Sequence, residues 1–306
     1  MHIRIATRRS PLALWQAEYV AAELKKLQPD LTTELVKIVS MGDKILDVPL
    51  AKVGGKGLFT KEIDMALADG RADVAVHSMK DVPTELPEGM SICAIPERAD
   101  PRDAIATVGR VGLDGLAAGA KVGSSSLRRI CQLKKRYPHL ACVSVRGSVQ
   151  TRLDKLGVEV DAVILATAGV KRLGLYERMD GAIDPELMLP AVGQGTLAIQ
   201  TCDNAEAINA LVCRLNHRDT VDRTAAERAF LAHLEGGCQV PIAGHATLDG
   251  DQLTIRGRVG DVEGVELLDQ TVVGSRQQAA ELGIQLAEQL LVAGAKEILR
   301  EVYKNS

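Results

Sequence analysis

Asp81 sits in the run His77-Ser78-Met79-Lys80-Asp81-Val82-Pro83, directly after the apolar stretch Ala72–Val76. If that stretch is a strand of a parallel sheet, the run is a loop at the carboxyl edge, where such sheets bind ligands. A carboxylate there can exchange a proton with a substrate or stabilise a developing cation. The same spacing also suits a turn or helix-cap aspartate ahead of Pro83, and both readings stay open at this level. A second candidate is Cys238, in Glu235-Gly236-Gly237-Cys238-Gln239-Val240-Pro241. A thiolate on such a glycine-flanked loop can bond covalently to an electrophile. No histidine stands beside it in sequence as a base, so an unreactive cysteine is the competing reading. Cys93, Cys131, Cys142, Cys202 and Cys213 show no CxxC pair and no zinc spacing, and read as reduced thiols.

Anion chemistry is written more broadly. Gly123-Ser124-Ser125-Ser126-Leu127-Arg128-Arg129 follows a strand-like stretch and opens a helix, so its N–H groups, hydroxyls and arginines compose an anion cradle. The plainer reading is one capping serine with two to spare. No Asp or Glu occurs from Gly115 to Leu153, a window that holds Lys121, Arg128, Arg129, Lys134, Lys135, Arg136, Arg146 and Arg152. Such a run is often only a solvated face. Here Arg128 and Arg129 open a helix, Arg146 ends a strand and Arg152 lies in the first turns of the next helix. Those are strand-to-helix corners, and a guanidinium fork pairs bidentately with carboxylate or phosphate. Met41–Phe59 gathers four glycines with Lys44, Lys52 and Lys56 and shows little periodicity, as a lid over a charged ligand would. It is not a Walker loop. Gly193-Gln194-Gly195-Thr196-Leu197-Ala198 fits GxGxxA but lacks the strand that a dinucleotide fingerprint needs.

The elements that must position these residues alternate. Ile3–Thr7 reads as a strand, and Ser10-Pro11 as the cap and first turn of a helix reaching Gln28, with Trp15, Tyr19, Ala22 and Leu27 on its core face. Glu34–Val39 and Ala72–Val76 read as strands around a helix capped by Thr60. After Pro101, strands near 103–108, 120–123, 141–145 and 161–166 alternate with helices, which predicts parallel sheets covered on both faces. Hinges are expected near Ile95–Asp103 and Leu189–Gly195, and Leu197–Gln200 is placed back in the first lobe. From Asp219 the pattern becomes a helix, three strands (Pro241–Leu248, Gln252–Val259, Val265–Val273) and a closing helix over Gln277–Val302. The expectation is an α/β chain: two doubly wound lobes and a small C-terminal α+β domain.

Its 306 residues exceed one typical domain, and 46% hydrophobic with 25% charged residues exclude a disordered chain. Aromatics at 2% and a net charge of −3 argue against a nucleic-acid binder. No apolar run approaches a membrane span, and Met1-His2-Ile3-Arg4-Ile5 lacks signal-peptide character, so a cytoplasmic protein is expected.

Several long segments are shared, in order, with one family: Ile5 to Ala13, Leu50 to Phe59, His77 to Pro83, Gly123 to Arg129, Arg146-Gly147, Ala168 to Gly174, Leu189 to Gly195 and Glu235 to Pro241. The chain resembles the porphobilinogen deaminase (hydroxymethylbilane synthase) family along essentially its whole length. The resemblance implies two lobes like type II periplasmic binding proteins, 1–98 with 196–216 and 99–195, and a third domain over 217–306. It implies a dipyrromethane cofactor held by Cys238 as a thioether, with Lys80, Asp81, Ser126, Arg128, Arg129 and Arg146 around it. Four porphobilinogen molecules add head to tail, each losing ammonia, and water releases hydroxymethylbilane. Asp81 matches the catalytic aspartate; Arg8, Ser10, Lys52, Lys56, Arg152 and Arg172 match substrate-binding positions. Ser40-Met41, Ser124 and Ser148 depart from the family pattern. No metal, nucleic acid or membrane partner is implied, and a monomer is expected. The competing function is a non-catalytic two-lobed binder of an anionic ligand, which leaves a third domain presenting a thiol unexplained.

Overall fold

The computed structural model describes residues 1–44, 57, 60–236 and 240–304. They form two compact units, one drawn from 1–99 with 196–221, the other from 100–195 with 222–304. In the first unit the strands are β1 (His2–Arg8), β2 (Thr32–Ile38), β3 (Val74–Ser78), β4 (Met90–Ala94) and β10 (Leu197–Cys202), in the order β2-β1-β3-β10-β4. β1 runs parallel to β2 and β3, whereas β10 is antiparallel to both its neighbours, with Leu197 opposite Ser78 and Cys202 opposite Met90. Helix α1 (Pro11–Leu27) starts where Ser10 accepts the Ala13 N–H at 3.3 Å and Pro11 presets the first turn. Its Ala17, Val20 and Leu24 pack with Ile3 and Ile5 on one face of the sheet. Helix α2 (Lys61–Ala68) puts Ile63, Ala66 and Leu67 against Ala6 and Ala75 on the other. Covered on both faces, the strands are apolar at successive positions rather than alternating. Each buried Ile, Val or Leu contributes about 1.5–3 kcal/mol.

The second unit repeats the plan. Strands β5 (Asp103–Thr107), β6 (Lys121–Gly123), β7 (Ala141–Val143), β8 (Ala162–Ala166) and β9 (Gly181–Ala182) order as β7-β6-β8-β5-β9. The antiparallel strand is again fourth, here β5 against β8 and β9. Helices α3 (Leu127–Arg136), α4 (Val149–Asp154) and α5 (Thr167–Arg172) follow β6, β7 and β8, so their N-termini gather at one sheet edge. This shared order makes both lobes doubly wound sheets of the periplasmic-binding type. After α6 (Glu206–Val212) and α7 (Arg218–His233) comes a three-stranded antiparallel sheet: β11 (Ile242–Asp249), β12 (Gln252–Gly260) and β13 (Leu267–Ser275). Helices α8 (Ala279–Leu290) and α9 (Lys296–Lys304) complete this small C-terminal α+β domain and share a core with α7. Its centre is Phe230, whose ring lies on the backbone of the cross-strand pair Gly244 and Gly257. A Cβ on Gly257 would stand 2.7 Å from that ring, so only glycine fits.

Four local expectations are corrected. The core face of α1 is Ala13, Gln16, Ala17, Val20, Ala21 and Leu24. Ala22 is exposed, while Trp15 and Tyr19 stack at 5.4 Å, with Tyr19 and Leu27 half-buried against the edge of that core. Thr60 makes no side-chain cap. The closing helix is broken over Leu291–Ala295, where Gly294 has φ +110°. Arg146 lies beyond the end of β7 rather than in it. The strands β4 and β9 were not expected at all.

Candidate active site

β3 delivers the run that begins at His77. Its last residue, Ser78, leads into the tight turn Met79–Asp81, where Met79 N donates to Thr196 O at 2.9 Å and Val82 N to Met79 O at 3.1 Å. Asp81 ends that turn, half-buried. It faces a small pocket, partly open to solvent, lined also by Arg8, Ser10, Gln16, Thr60, His77 and Ser78. Arg8 and Ser10 come from the junction of β1 and α1, so adjacent strand ends bring a cation, hydroxyls and a carboxylate together. Gln16 is buried and donates from Nε2 to Ser78 Oγ at 2.9 Å. Lys80 lies beside Asp81, half-buried.

His77, Ser78 and Gln16 carry no ligand role in the sequence reading. His77 Nε2 meets Gln200 Oε1 at 3.0 Å, and Gln200 Nε2 donates to Asp64 Oδ1 at 2.9 Å. Burial pushes the His77 pKa down to about 4; Gln200 opposes and the Arg8 charge reinforces the shift. Burial pushes the Asp64 carboxyl up, against its hydrogen bond from Gln200.

In the second unit the carboxyl edges of β6, β7 and β8 form a corner rich in donors. Ser124 Oγ accepts the Ser126 N–H at 3.2 Å. Ser125 Oγ donates to Val145 O at 2.7 Å. The Ser126 hydroxyl makes no cap at the start of α3. Ser148 caps α4 by accepting from Thr151 N at 3.1 Å. Arg152 Nε donates to Gly147 O at 2.9 Å and Arg172 Nη2 to Gly195 O at 2.9 Å, both side chains half-buried, as is Arg146. At the foot of α5, the buried Thr167 Oγ1 lacks a hydrogen-bond partner among the described residues.

Arg128 and Arg129 differ from these. They are 4% and 5% exposed and close on Asp103, which is fully buried at the start of β5. Arg128 Nη1 reaches Asp103 Oδ2 at 2.7 Å and Leu189 O at 2.8 Å. Arg129 reaches Asp103 Oδ1 through Nε at 3.1 Å and Nη2 at 2.7 Å, and Ile164 O through Nη1 at 3.0 Å. Burial pushes the Asp103 carboxyl up, but the two guanidinium groups outweigh it and hold it well below the usual carboxylate range. The trio leaves one positive charge over at the base of the corner. Lys52, Lys56 and Cys238, with most of the 41–59 segment, lie outside the described residues.

Residues 3–210 match the family described as porphobilinogen deaminase, dipyromethane cofactor binding domain, and residues 221–292 match the porphobilinogen deaminase C-terminal domain. The chain belongs to the porphobilinogen deaminase family. It is therefore a transferase of porphyrin biosynthesis that carries a dipyrromethane cofactor and makes hydroxymethylbilane from porphobilinogen. Solved structures give distant likenesses. The BvgS periplasmic VFT2 domain of Bordetella pertussis is 18% identical over 70% of this chain and 86% of its own, with a TM-score of 0.41. A single-residue variant of the OxyR2 regulatory domain of Vibrio vulnificus is 13% identical over 70% and 96%, at 0.43. The periplasmic aliphatic sulphonate binding protein SsuA of Escherichia coli is 13% identical over 76% and 75%, at 0.41. Among the described residues no helix is long and apolar enough to cross a membrane, and no group of three or more His, Cys, Asp or Glu is placed to hold a metal ion.

Proposed function

We propose that Asp81 is the acid–base and cation-stabilising group of this deaminase, and that Cys238 carries the dipyrromethane. The observation that carries the first assignment is the half-buried Asp81 carboxylate in a pocket with Arg8 and Ser10. Losing ammonia from porphobilinogen leaves electron demand on the pyrrole-bound methylene, and a carboxylate beside it lowers that cost. The same carboxylate can take the proton released when the new carbon–carbon bond forms. Arg8 and Ser10 would pair with the acetate and propionate of the incoming unit, orienting it towards Asp81. Lys80 and the lid lysines Lys52 and Lys56 would add positive charge for the same carboxylates.

The corner of the second unit suits an anionic cofactor: Arg146, Arg152 and Arg172, the Ser126 hydroxyl and the N-terminus of α3 all offer donors. When bound, the dipyrromethane supplies the pyrrole carbon on which the chain grows. Arg128 and Arg129, held by Asp103, would contribute their surplus charge and fix the start of α3. The domain limits of 1–98 with 196–216, 99–195 and 217–306, a monomeric state, a cytoplasmic location and independence of any metal complete the reading.

The test is an intact mass of the purified chain against its 32.7 kDa sequence mass, followed by incubation with porphobilinogen. An adduct of two linked pyrroles, with release of ammonia and a linear tetrapyrrole, is the expected result. A chain that neither carries nor acquires the adduct and releases no ammonia would overturn it.

A further inference from the structure

The imidazole of His77 has one nitrogen engaged and one bare. Gln200 directs its amide hydrogens to Asp64 Oδ1, at 2.9 Å, and to the Met90 sulfur, at 3.4 Å. What it offers His77 at 3.0 Å is the carbonyl oxygen, so the proton of the ring is on Nε2. The buried ring is neutral, which leaves Nδ1 as an acceptor. Nδ1 makes no hydrogen bond among the described residues, and it is not sealed in the core, for His77 is 6% exposed and lines the Asp81 pocket. An acceptor on the wall of that pocket is open to a donor from a ligand.

We propose that His77 Nδ1 accepts a hydrogen bond from the protonated aminomethyl group of porphobilinogen, with Gln200 and Asp64 as positioning residues that fix the ring's tautomer. This rests on the function proposed above and names the group that meets the leaving amine. The pocket sorts its ligand by polarity. Arg8 and Ser10 suit carboxylates, whereas Asp81 and His77 Nδ1 are acceptors, and a primary ammonium presents three donors and no acceptor. A neutral ring is needed for this, because a second cation beside Arg8 would repel the ammonium. The relay is local in space and distant in sequence: β3 supplies His77, β10 Gln200 and α2 Asp64.

Two substitutions separate the nitrogens. His77→Gln keeps a group at the Nε2 position for Gln200 and removes the acceptor at Nδ1; His77→Asn does the reverse. In cofactor-loaded protein, His77→Gln is expected to raise KM for porphobilinogen about tenfold or more, and to change kcat less. His77→Asn should raise KM less. Equal KM values, or an Asn variant worse than the Gln variant, would make His77 a structural residue and overturn the proposal. Should neither variant fold, the wild-type holoenzyme labelled with 15N-histidine decides. Its spectrum should show a protonated Nε2 and a bare Nδ1 whose resonance moves when porphobilinogen is added at low temperature; a protonated or unmoved Nδ1 overturns the proposal. A wild-type chain that releases no ammonia from porphobilinogen would overturn the function itself, a result distinct from turnover with the KM order reversed.

Discussion

Arg129 brings both Nε and Nη2 onto one oxygen of Asp103, at 3.1 and 2.7 Å, while Arg128 takes the other oxygen at 2.7 Å. All three side chains are buried, so the arrangement depends on every member being charged and paired. Asp103→Asn leaves two buried guanidinium groups facing a neutral amide and is expected to cost about 3–5 kcal/mol. Urea unfolding against wild type measures it, and a loss below about 1 kcal/mol would show the trio to be dispensable. The pH sign follows from the depressed carboxyl. Its stabilisation is fully present above the ordinary carboxylate value near 4 and is lost as pH falls below that.

Asp81 is the opposite kind of carboxylate, half-buried and lining a pocket partly open to solvent. Asp81→Asn should therefore unfold within about 0.5 kcal/mol of wild type, as substitutions away from buried networks do. Turnover of porphobilinogen should fall by about 100-fold or more, the usual weight of a positioned acid or base. Ammonia release followed over time, with unfolding midpoints alongside, checks both halves.

Cys238→Ser removes the thiolate needed for a thioether. The purified variant should weigh what its sequence weighs, before and after porphobilinogen, with Arg8 and Asp81 intact. A retained two-pyrrole adduct would move the attachment elsewhere.

His77 titrates near 4 in the folded chain and near 6.5 when unfolded. Between those values the unfolded chain takes up a proton that the folded chain refuses. Stability therefore falls as pH drops from about 6.5 to 4, by up to about 1.4 kcal/mol per pH unit from this residue. His77→Gln should flatten that part of the profile. Urea midpoints at pH 7, 6 and 5 for both proteins give the comparison, and parallel slopes would refute the assignment.

What was legible in the sequence was local. Ser10-Pro11 announced α1, the strand-to-helix corners placed Ser124 to Arg129 at the foot of α3, and alternation marked β11 to β13. What was not legible was made by partners far apart in the chain. Met90–Ala94 has no strong strand pattern of its own and becomes β4 by pairing with β10, a hundred residues later. The Asp103 trio reads in sequence as two ligand arginines, because nothing in their spacing reveals a carboxylate 25 residues upstream, on a strand two places away in the sheet. The relay behind His77 spans |i−j| of 123 and 136 to its partners, beyond any motif. The corrected face of α1 has another cause: small Ala and polar Gln16 face the sheet where the helix lies close, and the aromatics stay at its flank.

The returning strand β10 also bears on how the protein is born. Strand β3 must wait for Leu197 to Cys202 before its outer edge is closed, and β4 has no other neighbour in the sheet. At about 5–20 residues per second, a ribosome takes roughly 5–20 s to add the hundred residues between them. Throughout that interval the nascent first lobe displays unpaired edges, which are templates for aggregation. The second lobe, contiguous from β5 to β9, is free to fold meanwhile. The turn that carries Asp81, anchored by Met79 N on Thr196 O, therefore sets only after the strands of the second lobe have been made.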